Sequence, residues 1–353
     1  MNFSNTVLTW YNNNKEDFPW RMTKDPYKIW VSEIMLQQTQ VQTVIPYYKK
    51  WIIKFPTIFD VANASDDILF KYWEGLGYYN RVNNFRIACN QIIKDHNGKI
   101  PKTVDQLITL KGIGEYTSSA ISSIAFNQVN YVIDGNVKRV MARVLRLKNF
   151  SKESLNKMKI FLSANIHKGS PGNFNQGMMD LGRDVCKPKN PMCSICPIAS
   201  FCMAYIKNQI EKYPEVKKQT KRLPHYTIGV GIIWNEDKIL ITKRKKNALL
   251  GGLWEFPGGK ILKNESIKKC IKREIFEELS IDVDVLKFIT KVKHSYSHFK
   301  ITLHAHNCMY NTGKIVCKAS DDYKWISPSQ FNQFAFPKAN HHIFPHIINQ
   351  EAI

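Results

Sequence analysis

The chain has 353 residues, 44% of them hydrophobic, and a formal charge of +22. That length is more than one hydrophobic core normally serves, so two domains are expected, and the charge favours a polyanionic partner, nucleic acid first. No run of about 18 apolar residues occurs, which excludes a membrane-spanning helix, and Met1–Trp20 lack the apolar stretch of a secretory signal.

Residues 1–203 read as mostly helical. Helical periodicity runs over Ile29–Tyr47, Asp66–Leu76, Val82–Asp95, Val104–Leu110, Tyr116–Phe126, Val137–Leu147 and Glu153–Ile166, with short Gly- and Pro-containing links and no internal repeat. Glu33 lies four residues after Ile29, three after Trp30 and four before Gln37, on the side of its helix that carries aromatic and apolar groups. A carboxyl there is partly desolvated, its pKa rises, and it can act as a general acid near neutral pH. The plainer reading is a Glu on a helix margin, bonded to an arginine or the backbone. Gln37, Gln38 and Gln40 supply amides along the same predicted helix. Tyr78 and Tyr79 follow the turn Gly75-Leu-Gly77, where a flat side chain can wedge into a base stack or pack in a core.

Leu110-Lys-Gly-Ile-Gly-Glu-Tyr116 looks like a helix–hairpin–helix turn. Gly112 and Gly114 are expected to allow positive φ and a close backbone approach, and N–H groups at the start of the next helix capture a phosphate without reading a base. An ordinary helix–helix turn has the same composition. In Val132-Ile-Asp-Gly-Asn-Val137, Asp134 stands just before a helix, where aspartate is most often an N-cap. Four of the eight cysteines, Cys186, Cys193, Cys196 and Cys202, form a C-x6-C-x2-C-x5-C bunch, while Cys89, Cys270, Cys308 and Cys317 are scattered. Such a bunch favours metal over disulfides and a reducing, cytoplasmic compartment. The spacing alone suits either zinc or an iron–sulfur cluster.

Trp30-Val-Ser-Glu-Ile-Met-Leu-Gln-Gln-Thr-Gln-Val41, Gly75-Leu-Gly-Tyr-Tyr-Asn-Arg81, the hairpin and Val132–Val137 together resemble the MutY family, the adenine DNA glycosylases, over about residues 10–205. The resemblance implies an all-α helix–hairpin–helix domain that removes adenine paired with 8-oxoguanine or guanine in double-stranded DNA, after extruding it into a pocket. Glu33 matches the family's catalytic acid, Asp134 the carboxylate that stabilises the oxocarbenium-like sugar, and Asn136 a polar group orienting in the same pocket. In endonuclease III-like enzymes a lysine that attacks the sugar stands 18 residues before the Asp; here that position is Tyr116, which cannot form a Schiff base, so a monofunctional glycosylase is expected. Arg21, Gln37, Gln38, Tyr78, Gly112 and Gly114 are the candidate DNA contacts. The resemblance turns the cysteine bunch towards a structural [4Fe–4S] cluster. A monomer is expected.

Residues 206–224 lose periodicity and gain charge, with Lys212, Lys217, Lys218, Lys221 and Arg222, and read as a basic linker. Residues 225–353 read as α+β: strands over Tyr226–Trp234, Lys238–Lys243, Val283–Val292 and Lys300–Tyr310, and a helix over Glu265–Leu279. Gly259-x5-Glu265-x7-Arg273-Glu-Ile-Phe-Glu-Glu278-x-Ser280 resembles the Nudix box, with Ser280 where the family has Gly. Glu274, Glu277 and Glu278 share one helix side and suit Mg²⁺. This half resembles MutT, which hydrolyses oxidised dGTP, and Asn340 stands in the segment that reads the oxidised purine there. MutY proteins carry a related domain that recognises 8-oxoguanine in DNA, and Tyr296-Ser297-His298 stands at its Phe-Ser-His turn. Ser280 in the box, and Ala319 where the hydrolase has a further carboxylate, argue against full hydrolysis. A hydrolase of oxidised dGTP is the alternative.

Overall fold

The computed structural model describes residues 2–215 and 223–348; Lys217, Lys218, Lys221 and Arg222 of the basic run lie outside them. In chain order the helices of the first half are α1 (Phe3–Asn14), α2 (Pro26–Met35), α3 (Val41–Lys54), α4 (Ile58–Asn63), α5 (Asp66–Trp73), α6 (Asn80–Asp95), α7 (Val104–Leu107), α8 (Glu115–Phe126), α9 (Gly135–Val144), α10 (Lys152–Asn165), α11 (Pro171–Asp180) and α12 (Met203–Ile206). No helix among the described residues is long and apolar enough to cross a membrane.

The single helix expected over Ile29–Tyr47 is two helices. Gln38 takes a left-handed φ of 58°, which no α-helix accommodates, and α3 restarts after the extended Gln40. Gln37, Gln38 and Gln40 therefore belong to a turn, not to a helix face. α2 begins at Asp25, whose side chain accepts from the Tyr27 and Lys28 amides, with Pro26 next, a strong start signal. It is buried almost all round: Ile29 packs with Ala120, Ile124 and Val132, and Trp30 meets Phe85 edge-on at 4.4 Å. The apolar stripe of α9, Val137, Val140, Met141 and Val144, packs with Phe3 and Val7 of α1, Met158 and Leu162 of α10, and Phe174 and Met178 of α11. Each such side chain contributes roughly 1.5–3 kcal/mol by burial. α11 continues into a π-helical turn, Leu181–Val185, which delivers Cys186.

The second half holds β1 (His225–Asn235), β2 (Lys238–Arg244), β3 (Trp254–Glu255), β4 (Gly258–Lys260), α13 (Ile267–Leu279), β5 (Asp282–Ser295), β6 (Lys300–Thr312), β7 (Ser320–Ile326), α14 (Lys338–His341) and α15 (Phe344–Ile348). The sheet runs β3-β2-β1-β6-β5, with β4 added to β1 and β7 to β2; β1 and β6 are parallel and the other pairs antiparallel. Alternate residues of β1 serve the two faces. Val230, Ile232 and Trp234 join a core closed by Phe331, Phe336 and Ile343, and Ile233 packs with Ile271 and Ile275 of α13. The α+β expectation holds; β3, β4 and β7 are additions to it. Contacts divide the chain into two compact units, Met1–Asn63 with Asn84–Gln219, and Ala64–Asn83 with Thr220–Ile353.

Candidate active site

In the first unit one cavity is lined by Glu33, Tyr116, Asp134 and Asn136, together with Trp20, Arg21, Gln176 and Asp180. Glu33, in the last turns of α2, is 5% exposed, and Tyr116 at the start of α8 donates its hydroxyl to Glu33 Oε2 across 2.7 Å. Burial pushes the Glu33 carboxyl up to about 7, the Tyr116 hydrogen bond opposes this, Asp134 adds to it and Arg21 lowers it. At neutral pH this acid is therefore poised to hold or release a proton.

Asp134 is the N-cap of α9 and also faces the cavity. Its Oδ1 accepts from the Val137 amide at 2.6 Å and its Oδ2 from Asn136 Nδ2 at 3.1 Å. Burial raises its pKa, while the hydrogen bonds from Val137 and Asn136 and the charge of Arg139 hold it down. The capping role expected of a lone Asp and a place in the cavity thus coexist. Arg139 donates to Asn136 Oδ1 and to the carbonyls of Gly182 and Cys186, all at 2.8 Å.

Arg21 faces this cavity and does not lie on an open surface. It pairs with Asp180 Oδ1 at 2.7 Å, and both side chains are nearly buried. The Arg21 Nε and the Asp180 Oδ2 are buried without a hydrogen-bond partner. Gln37 reaches Thr117 Oγ1 at 3.4 Å, and Gln38 is exposed at its turn. In the hairpin only Gly112 has positive φ, 80°. Gly114 is extended and N-caps α8, with open space where a side chain would start.

Cys186, Cys193, Cys196 and Cys202 carry free thiols and line one cavity with Val140, Val144, Leu181 and Ile198. Among the described residues no group of three or more ligating side chains is placed to hold a metal ion. Burial pushes the Cys196 thiol up to about 12 and raises Cys193 and Cys202, and a metal centre supplies the charge that holds thiolates. Arg143, 4% exposed, ties this loop down through Cys186 Sγ (3.1 Å) and the carbonyls of Lys187, Pro188 and Tyr213.

In the second unit Arg244, Glu255, Glu278, Tyr296, His298, Ala319 and Asn340 line a further cavity. Of the three glutamates expected to suit Mg²⁺, two are paired with an arginine. Arg273 holds Glu274 and Glu277 in salt bridges at 2.9 and 3.0 Å, and among the described residues no metal-holding group is present. Glu278 is pushed up to about 8 by burial and by Glu255 and Glu274. Ser280 adopts the left-handed conformation (φ 58°) that a Gly would take. Tyr296 turns inward and stacks on Phe299 at 4.8 Å, whereas Ser297 is exposed and hydrogen-bonded to Tyr78 Oη at 3.1 Å.

Residues 31–161 match the HhH-GPD superfamily of base excision DNA repair proteins, and residues 229–346 match the NUDIX domain. The human adenine DNA glycosylase is 30% identical, with 97% of this chain and 73% of that protein aligned. The adenine DNA glycosylase of Buchnera aphidicola subsp. Acyrthosiphon pisum is 36% identical over 84% of this chain and 83% of its own. This chain belongs to the adenine DNA glycosylase family. Among solved structures, a thermostable thymine-DNA glycosylase aligns at 29% identity and TM-score 0.55, covering 58% of this chain and 95% of that one. A non-covalent endonuclease III–DNA complex, at 22% identity and TM-score 0.50, shares the fold.

Asp180, Arg139 and Arg143 escaped the sequence reading. Arg139 and Arg143 lie four apart on α9, a spacing that puts both on one side; Asp180 carried no local signal.

Proposed function

We propose that this glycosylase extrudes adenine from duplex DNA into the Glu33 cavity and hydrolyses its N-glycosidic bond. The observation that carries the reading is a buried carboxyl at about 7, hydrogen-bonded to Tyr116, in one cavity with a second carboxylate, Asp134. Glu33 gives its proton to the adenine ring, and the C1′–N bond breaks with its electron pair leaving on the base. The ionised Asp134 faces the resulting oxocarbenium-like sugar. Water then adds to C1′ and loses its proton to Glu33. Asn136 orients Asp134 through the hydrogen bond between them. Tyr116 has no amine for a Schiff base, which supports a monofunctional enzyme.

The preferred substrate in this reading is adenine opposite 8-oxoguanine, then opposite guanine, bound by a monomer. Gly114 leaves the backbone at the start of α8 open to a phosphate, with Gly112 shaping the turn before it, and Ser297 supplies a lesion contact beside Tyr78. Cys186, Cys193, Cys196 and Cys202 would hold a [4Fe–4S] cluster, whose contribution when bound is to cross-link the loop that Arg143 ties down. The free thiols suit a reducing, cytoplasmic compartment. The nucleotide hydrolase is not better supported than the glycosylase, which the relatives along most of the chain favour.

The test is one duplex with adenine opposite 8-oxoguanine, labelled on the adenine strand and resolved with and without alkali. Cleavage only after alkali is the expected result. Cleavage without alkali would overturn the monofunctional assignment, and no abasic product would overturn the function. Affinity for the duplex should fall steeply with salt, as phosphate binding requires.

A further inference from the structure

A set of contacts in the second unit is not used by the adenine chemistry. The turn that carries Tyr78 follows α5 directly, and Glu74 is the residue at which α5 ends. The Glu74 carboxylate is largely covered, with 15% of the side chain exposed. Its Oε1 accepts from the Phe336 amide at 2.7 Å and from His341 Nε2 at 2.8 Å, and its Oε2 accepts from Lys71 Nζ at 2.6 Å. Phe336 is fully buried in the core beneath the sheet, so the carboxylate is fastened to a rigid part of the unit.

The turn beyond Glu74 is itself stiff. Arg81 donates to the carbonyls of Leu76 (2.9 Å) and Gly77 (3.0 Å), and Trp73 Nε1 also donates to Gly77 at 3.1 Å. Tyr78 stands at its tip with a left-handed φ of 48°, 41% exposed, joined to Ser297 at 3.1 Å. A strained, exposed tyrosine held against an exposed serine persists only where the surroundings over-determine it. Burial alone would raise the pKa of Glu74, but the hydrogen bonds from His341, Lys71 and the Phe336 amide bring it below the usual range, so the anchor is ionised at neutral pH.

We propose that Glu74 is a positioning residue for lesion discrimination: by fastening the Gly75–Tyr79 turn to His341 and the Phe336 amide, it presents Tyr78 and Ser297 side by side to the base opposite the adenine. This rests on the reading of Ser297 as a lesion contact. Glu33 and Asp134 hang from α2 and the start of α9, which belong to the first unit. Loss of Glu74 therefore affects the choice of opposite base and leaves adenine release from the less favoured pair intact.

The experiment measures single-turnover adenine release opposite 8-oxoguanine and opposite guanine for the full-length protein, Glu74→Ala, Ser297→Ala and the double variant. Glu74→Ala should lower the preference for 8-oxoguanine about tenfold, leave the rate opposite guanine within about twofold, and have no further effect in the Ser297→Ala background, as residues acting through one contact do. Equal loss of both rates would make Glu74 a mere scaffold and overturn the proposal. An unchanged preference in Glu74→Ala, with Ser297→Ala impaired, would overturn it while leaving the lesion contact standing. An unchanged preference in Ser297→Ala would remove the lesion contact and the proposal together. If Glu74→Ala does not fold, His341→Ala removes one of the three donors and is read by the same criteria, with a loss of about threefold expected.

Discussion

The Tyr116 hydroxyl points at Glu33 Oε2 from 2.7 Å, and it acts on Glu33 in the opposite sense to burial. Burial favours the neutral carboxyl, and the hydrogen bond favours the carboxylate. Tyr116→Phe should therefore raise the Glu33 pKa above its present value of about 7. The wild-type rate of adenine release should decline as pH rises through about 7, because the protonated acid is lost, and the variant should hold its rate to higher pH. Single-turnover rates across the pH range decide it; coincident profiles would mean that another group titrates.

The same carboxyl makes a stability prediction. The fold raises Glu33 from 4.5 to about 7, so it favours the protonated form, and the stability of the wild type falls as pH rises through that window. At pH 8 the cost is about 3 kcal/mol, and below pH 4 it vanishes. Glu33→Gln keeps a neutral acceptor for Tyr116 and escapes the cost. It should abolish adenine release, retain lesion binding, and unfold at higher denaturant than the wild type at pH 8 but not at pH 4. A constant difference at both pH values would contradict the buried-acid assignment.

The two hairpin glycines should respond differently to alanine. At Gly112 a Cβ would sit 2.7 Å from Asn84 Cβ at a φ of 80°, so Gly112→Ala should destabilise the fold by about 1–2 kcal/mol. At Gly114 a Cβ meets nothing within 4 Å, so Gly114→Ala should melt with the wild type and yet bind duplex DNA more weakly, because the methyl stands where a phosphate would approach. Thermal melts alongside DNA titrations separate the two effects.

Ser280 ends α13 in the left-handed region that glycine enters without penalty. Ser280→Gly should stabilise the protein by roughly 0.5–1 kcal/mol, the steric relief less the added freedom of the unfolded chain. Chemical denaturation would show it. The variant should gain no nucleotide hydrolysis, because Arg273 still holds Glu274 and Glu277.

Local chemistry made much of this architecture readable. The period of α9 and the alternation of β1 are visible in the chain, and the place of Glu33 among apolar neighbours announced its burial. The break after α2 was hidden because the apolar spacing carries straight across Gln38, whose left-handed backbone leaves no hydropathy signal. Asp180 was unreadable because its partner, Arg21, is 159 residues away. The surroundings of the three glutamates were hidden for a related reason: spacing puts them on one side of a helix but does not reveal that Arg273 of the same helix holds two of them.

Glu74 meets the Phe336 amide and His341 across 262 and 267 residues of chain, and Asp67 meets Lys243 across 176. The second unit therefore cannot complete its contacts until nearly the whole chain has been made. Ala64–Asn83 leave the ribosome early and must wait, without their polar partners, until the region around residue 341 has been synthesised. Closing contacts over such separations is slow. A nascent chain arrested before the last helices should consequently show a formed α9 core but a protease-sensitive α5, so the segment that presents Tyr78 is among the last to take its place.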